Sequence, residues 1–101
     1  MMITEIIIKD VPVRFHPVEA PITMIADIPS ISQPDKLYFR VCNGPYLWPE
    51  IKEDQLVWQI PQHERRLWQS GESVVFGHWT DSTLEIDLSI EQQTSIQKYF
   101  F

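Results

Sequence analysis

Three histidines, one cysteine and a few carboxylates are the residues of this chain with the chemistry of a reactive or metal-binding site. His16, His63 and His78 lack partners at H-x-x-x-H or C-x-x-C spacing, so no metal site is expected. His78 falls between Gly77 and Trp79 in a strand pattern, where an ordinary surface or sheet-end histidine is the simpler role. Cys42 would need a neighbouring base and a positive setting to act as a nucleophile, and the pattern offers it only Arg40. Glu50, Glu53 and Asp54 resemble paired carboxylates, but they cluster in a loop and read as a solvated turn. Glu85 and Asp87 share one face of a strand and read as its wet side. The chain has no G-x-S-x-G and no Gly-rich phosphate loop. The expectation is a protein without catalysis, metal or cofactor.

Binding is a different matter. Twelve residues in a hundred are aromatic (Trp 4, Tyr 3, Phe 5). Trp58 sits on an alternating strand and Trp68 on a helical turn, so both are expected in the core. Trp48 stands in YLWPE between Pro45 and Pro49, beside Tyr46. A proline-stiffened aromatic either anchors a partner or packs back onto its own sheet. Trp79 precedes a turn and is open to the same two readings. Tyr99, Phe100 and Phe101 put three aromatics where chains usually fray and stay polar, which calls for burial against this domain or a neighbouring subunit. Tyr46, Trp48, Trp79, Tyr99, Phe100 and Phe101 are therefore the candidate interaction residues.

The elements that must carry these residues read mostly as strands. The chain has 101 residues, enough for one domain with its own core and no more. Apolar runs or alternations appear at Ile3 to Ile8, around Val13 and Phe15, at Ile22 to Asp27, Lys36 to Cys42, Gln55 to Ile60, Ser73 to Trp79 and Thr83 to Ile90. Prolines 12 and 17 mark the second of these as an edge or irregular strand. Residues 43–54 are too broken by Gly44, Pro45 and Pro49 for a strand and read as a loop. Pro61 opens a helical turn that Gly71 ends, with Glu64 in its first turn and Leu67 and Trp68 toward the core. Asp81-Ser82 reads as the turn between the last two strands. About seven short strands with turn signals every 8–12 residues favour an all-β antiparallel sandwich over an α/β fold.

Lys and Arg number 8 against 14 Asp and Glu, a net charge of -6. That balance disfavours nucleic acid bound through its phosphates and an anionic membrane surface. A single cysteine permits no internal disulfide, which suits synthesis in a reducing cytoplasm. The opening MMITEIIIKD lacks the basic and long apolar stretches of a signal peptide.

The stretch from Gln55 to Ile90 resembles Ig-like domains of small bacteriophage tail, baseplate and fibre-associated proteins. Leu56, Trp58 and Ile60 correspond to the entering strand, Pro61 and Glu64 to the helical turn, and Leu67 and Gly71 to the corner. Val75, Phe76 and Trp79, then Leu84, Ile86 and Leu88, correspond to the closing strands. The family's Gly-Asp-Thr opening is replaced here by IIIKDVPVRF. The resemblance implies assembly without catalysis: a virion component whose protein partners are other virion subunits or further copies of itself. Two other readings stand beside it. A small acidic inhibitor of a host nucleic-acid enzyme requires Asp and Glu gathered on one face. A carbohydrate-binding module requires Tyr46, Trp48 and Trp79 exposed and roughly coplanar.

Overall fold

The computed structural model describes residues 4–16, 23–80 and 83–97. Over these residues the chain is mostly β, with eight strands in two antiparallel sheets. The strands are β1 (Thr4–Ile8), β2 (Val11–His16), β3 (Thr23–Asp27), β4 (Leu37–Val41), β5 (Glu50–Lys52), β6 (Gln55–Gln59), β7 (Val74–His78) and β8 (Leu84–Asp87). One sheet has the order β1-β2-β3-β6-β5 and the other β4-β7-β8. Helix α1 (Gln62–Gln69) carries the chain from the first sheet to the second, and α2 (Ile90–Gln97) follows β8.

Alternation decides which side chains meet between the sheets. Ile6 and Ile8, Val13 and Phe15, Met24 and Ala26, and Leu56 and Trp58 face inward from the large sheet and are fully or almost fully buried. Leu37, Phe39 and Val41 with Val74 and Phe76 meet them from the small sheet. Phe76 is the hub: its ring centroid lies 4.7 Å from Phe15, 4.9 Å from Phe39 and 5.8 Å from Trp58. Trp58 satisfies its buried indole N–H on the Leu37 carbonyl oxygen at 3.3 Å, tying the two sheets together. Trp68 closes one side from α1, with its ring 5.4 Å from Phe39.

The corner after β6 follows its sequence signals. The Pro61 carbonyl accepts from the Arg65 N–H as the first bond of α1. Gly71, at φ 99°, ends the helix in a Schellman motif, with Gly71 N–H bonded to the Trp68 oxygen and Glu72 N–H to the Leu67 oxygen. The strand expected at an edge, β2, instead lies between β1 and β3, and Pro12 is accommodated because β3 pairs with β2 only at Phe15 and His16, leaving one neighbour at residue 12.

Three further features depart from the sequence expectation. β5 lies inside the stretch read as a loop; its three residues are all exposed, so no buried alternation marks it. The strand expected through Ile90 stops at Asp87, and Ile90 begins a second helix. The reason is a capping box: Gln92 N–H donates to Ser89 Oγ at 3.2 Å, and Ser89 N–H donates to Gln92 Oε1 at 3.1 Å. Among the described residues the count is accordingly eight strands and two α-helices, where about seven strands and one helical turn were expected. The expected Asp81-Ser82 turn lies outside the described residues.

Candidate aromatic docking surface

The outer face of the small sheet carries the candidate site. Lys36, Tyr38 and Arg40 point outward along β4 and its approach, opposite Trp79, Gly77 and Val75 of the β7 segment. The third row comes from the stretch read as a loop. Phe39 and Leu47 form an isolated antiparallel bridge, with Phe39 N–H to Leu47 oxygen at 3.0 Å and Leu47 N–H to Phe39 oxygen at 2.8 Å. That bridge restores strand alternation for three residues. Leu47 turns inward against the core, and Tyr46 and Trp48 turn outward over Tyr38 and Arg40.

Tyr38 is the floor. It retains no exposed surface although it lies on the outer face. Tyr46, Trp48 and Trp79 cover it edge-on, at centroid distances of 4.7, 5.6 and 6.5 Å and interplanar angles of 77°, 69° and 66°. Such T-shaped contacts are the favoured geometry for aromatic quadrupoles. Its hydroxyl donates to Glu85 Oε1 at 2.9 Å. The register explains the reach: Gly77 stands opposite Tyr38 on one side and opposite Glu85 on the other. With no side chain at residue 77, the phenol spans the middle strand. Burial, and then the Glu85 carboxylate beside it, push the Tyr38 hydroxyl well above the usual phenol range.

Cations frame the patch. The Arg40 guanidinium lies 4.9 Å from the Tyr46 ring centroid, donates to the Cys42 oxygen and Asn43 Oδ1 at 3.1 Å each, and sits 3.5 Å from Glu85 Oε1. Lys36 Nζ lies 6.0 Å from the Trp48 ring centroid. The covering rings remain 38%, 46% and 44% exposed at Tyr46, Trp48 and Trp79.

Three of the six candidate interaction residues, Tyr46, Trp48 and Trp79, thus converge on one surface. Their mutual centroid distances are 5.9, 5.6 and 6.3 Å. Tyr99, Phe100 and Phe101 lie outside the described residues. Alternation places Tyr38 on the face opposite Leu37, Phe39 and Val41 and says nothing of what covers it. Its signal was the aromatic type itself on that face, opposite a glycine.

The groups considered for chemistry do not gather. His16 Nε2 lies 2.7 Å from Asp27 Oδ1 on the large sheet, His63 is exposed on α1, and buried His78 donates Nε2–H to the Gln33 oxygen at 3.1 Å. Half-buried Cys42 lines a shallow depression of about 210 Å³ with Arg40 and Glu85. Among the described residues no group of three or more His, Cys, Asp or Glu is placed to hold a metal, and no helix is long and apolar enough to cross a membrane. Described acidic residues are distributed over both sheets, both helices and several turns, and Glu5, Asp27, Glu50 and Glu85 each lie against a basic side chain. The three exposed rings meet at 38°, 67° and 84°, so they form no flat platform for a sugar. No protein-family model, curated protein or solved structure matches the chain.

Proposed function

We propose that this chain is a non-catalytic, Ig-like interaction module that docks a protein partner through Tyr46, Trp48 and Trp79. The observation that carries the reading is the convergence of three half-exposed rings, from two separate segments, on a fully buried and hydrogen-bonded tyrosine. A rigid floor lets aromatic anchors bind with little loss of conformational freedom, and tyrosine and tryptophan dominate interface energetics. The Ig-like part of the reading is supported by strand order. Strands β2-β3-β6-β5 and β4-β7-β8 correspond to the A-B-E-D and C-F-G sheets of an Ig constant-type domain, with β1 added at the A edge. A bacteriophage virion component is the narrower form of the proposal, and it rests on the resemblance of residues 55–90. A photo-crosslinking side chain at Pro45, beside the patch, tests the docking role in the producing cell. The expected result is an adduct to one protein species that disappears in the Trp48→Ala and Trp79→Ala variants. Adducts that are absent, or indifferent to both substitutions, would overturn the reading.

A further inference from the structure

We infer that the occupant of the aromatic surface is a short, extended, proline-rich peptide segment carrying a carboxylate that meets Lys36. The inference rests on the docking role proposed above and names the chemistry of the partner.

Area disfavours a second copy docked on these rings alone. Exposures of 38%, 46% and 44% on three aromatic side chains leave roughly 300 Å² open, taking each side chain at about 250 Å². A stable protein–protein interface needs about 800 Å² on each side. A second copy of this chain docked here alone would fall far short. A short peptide would not.

Ring geometry favours a polyproline II backbone. Trp79 stands at 67° to Tyr46 and 84° to Trp48, which opens clefts between the rings, and proline rings pack into such aromatic clefts. The centroid triangle, with sides of 5.6 to 6.3 Å plus the width of the rings, covers about one polyproline turn of roughly 9 Å. Such a segment also has acceptors to offer, since its carbonyl groups make no internal hydrogen bonds. Among the described residues, no hydrogen bond occupies the Tyr46 hydroxyl or the indole N–H of Trp48 or Trp79. These three groups stand ready as donors at the rim.

Charge selects the flank. Arg40 is committed to Glu85, Cys42 and Asn43. Lys36 is exposed beside Trp48 and pairs with no carboxylate among the described residues. A glutamate or aspartate in the peptide meets it there.

The four tryptophans make the test internally controlled. The full chain is titrated with decaproline, with decaproline carrying one amino-terminal glutamate, with a glycine-serine decamer and with cellohexaose, while the indole N–H signals are followed by NMR. The expected result is saturable movement of the Trp48 and Trp79 signals with the proline peptides only, while the signals of buried Trp58 and Trp68 stay still. Trp48→Ala weakens binding about tenfold or more, as loss of a central aromatic anchor does. Trp79→Leu does the same and serves if the first variant folds poorly, with the Trp58 and Trp68 signals reporting the fold. Lys36→Ala removes only the preference for the glutamate peptide, about threefold, the scale of one exposed ion pair. No movement at millimolar peptide overturns the inference. So does equal movement with cellohexaose, or movement on raising the concentration of protein alone. If the proline peptides fail while the Trp48-dependent crosslink is found, the docking role stands and the peptide chemistry falls. If they bind while no such crosslink forms, the peptide site stands and the docking role falls.

Discussion

The two sheets present outer faces of different character. On the five-stranded sheet, cross-strand neighbours pair polar groups: Arg14 with Glu5 at 3.1 Å, His16 with Asp27 at 2.7 Å, and Thr23 with Gln59 at 3.5 Å. On the three-stranded sheet the corresponding positions accumulate aromatic rings, and a tyrosine there is as buried as any core residue. The first face mixes exposed polar pairs with apolar ones, Ile7 opposite Pro12 and Ile25 opposite Val57. The second is held together like an interior yet leaves ring area uncovered. A sheet of three strands has little room for redundancy, so aromatic surface that it stabilises but does not bury is costly to keep without a use.

Substitutions should separate the two faces. Tyr38→Ala removes the floor and, as a large-to-small change at a fully buried site, is expected to cost about 3 kcal/mol in denaturant unfolding. A cost near that of a surface residue would show that the rings do not act as a packed unit. Gly77→Leu puts a side chain between Tyr38 and Glu85 and is expected to cost about 2 kcal/mol, as overpacking does. The variant should also let the Tyr38 hydroxyl ionise at lower pH in ultraviolet titration.

The pH response follows from the sign of the Tyr38 shift. The folded protein holds the phenol protonated above the pH at which the unfolded chain ionises it, so the associated stability is complete below about pH 10 and declines as pH rises beyond that. The decline attributable to Tyr38 is at most about 1.4 kcal/mol per pH unit and should vanish in Tyr38→Phe. A Tyr38→Phe curve parallel to the parent would remove the phenol from the account. Smallest of all, Arg14→Ala on the opposite face breaks an ion pair whose partners are 59% and 45% exposed. It should move stability by no more than about 0.5 kcal/mol. A larger loss would mean that the polar face is as interdependent as the aromatic one.

Period-two patterning made the inward rows legible. Leu37, Phe39 and Val41, and Leu56, Trp58 and Ile60, are buried as their alternation requires, and Trp68 lies where the Pro61-to-Gly71 corner puts it. The capping box of Ser89 and Gln92 was present in the sequence but outweighed by the apolar alternation running into it from Leu84. β5 gave no signal because none of its residues is buried. Tyr46, Trp48 and Trp79 could be singled out by residue type. Their meeting could not, since it depends on the long-range register that places β4 beside β7 and on one bridge formed inside a proline-rich segment. For Tyr38, alternation gives the face but not the environment, because a side chain's exposure is set by what a distant segment lays over it.

The bridge at Phe39 and Leu47 has a second effect, on aggregation. β4 lies at the border of its sheet, and Leu37, Phe39 and Val41 aim their main-chain groups away from β7. Most of those groups are already spent. Leu37 N–H goes to the Pro34 oxygen, the Leu37 oxygen to Trp58 Nε1, both Phe39 groups to Leu47, and the Val41 oxygen to the Gly44 N–H. A foreign strand arriving at this border finds almost nothing left to template on, which closes a route by which exposed sheets recruit one another into fibrils. The segment that displays sticky rings to a chosen partner is also the one that denies the neighbouring backbone to every other.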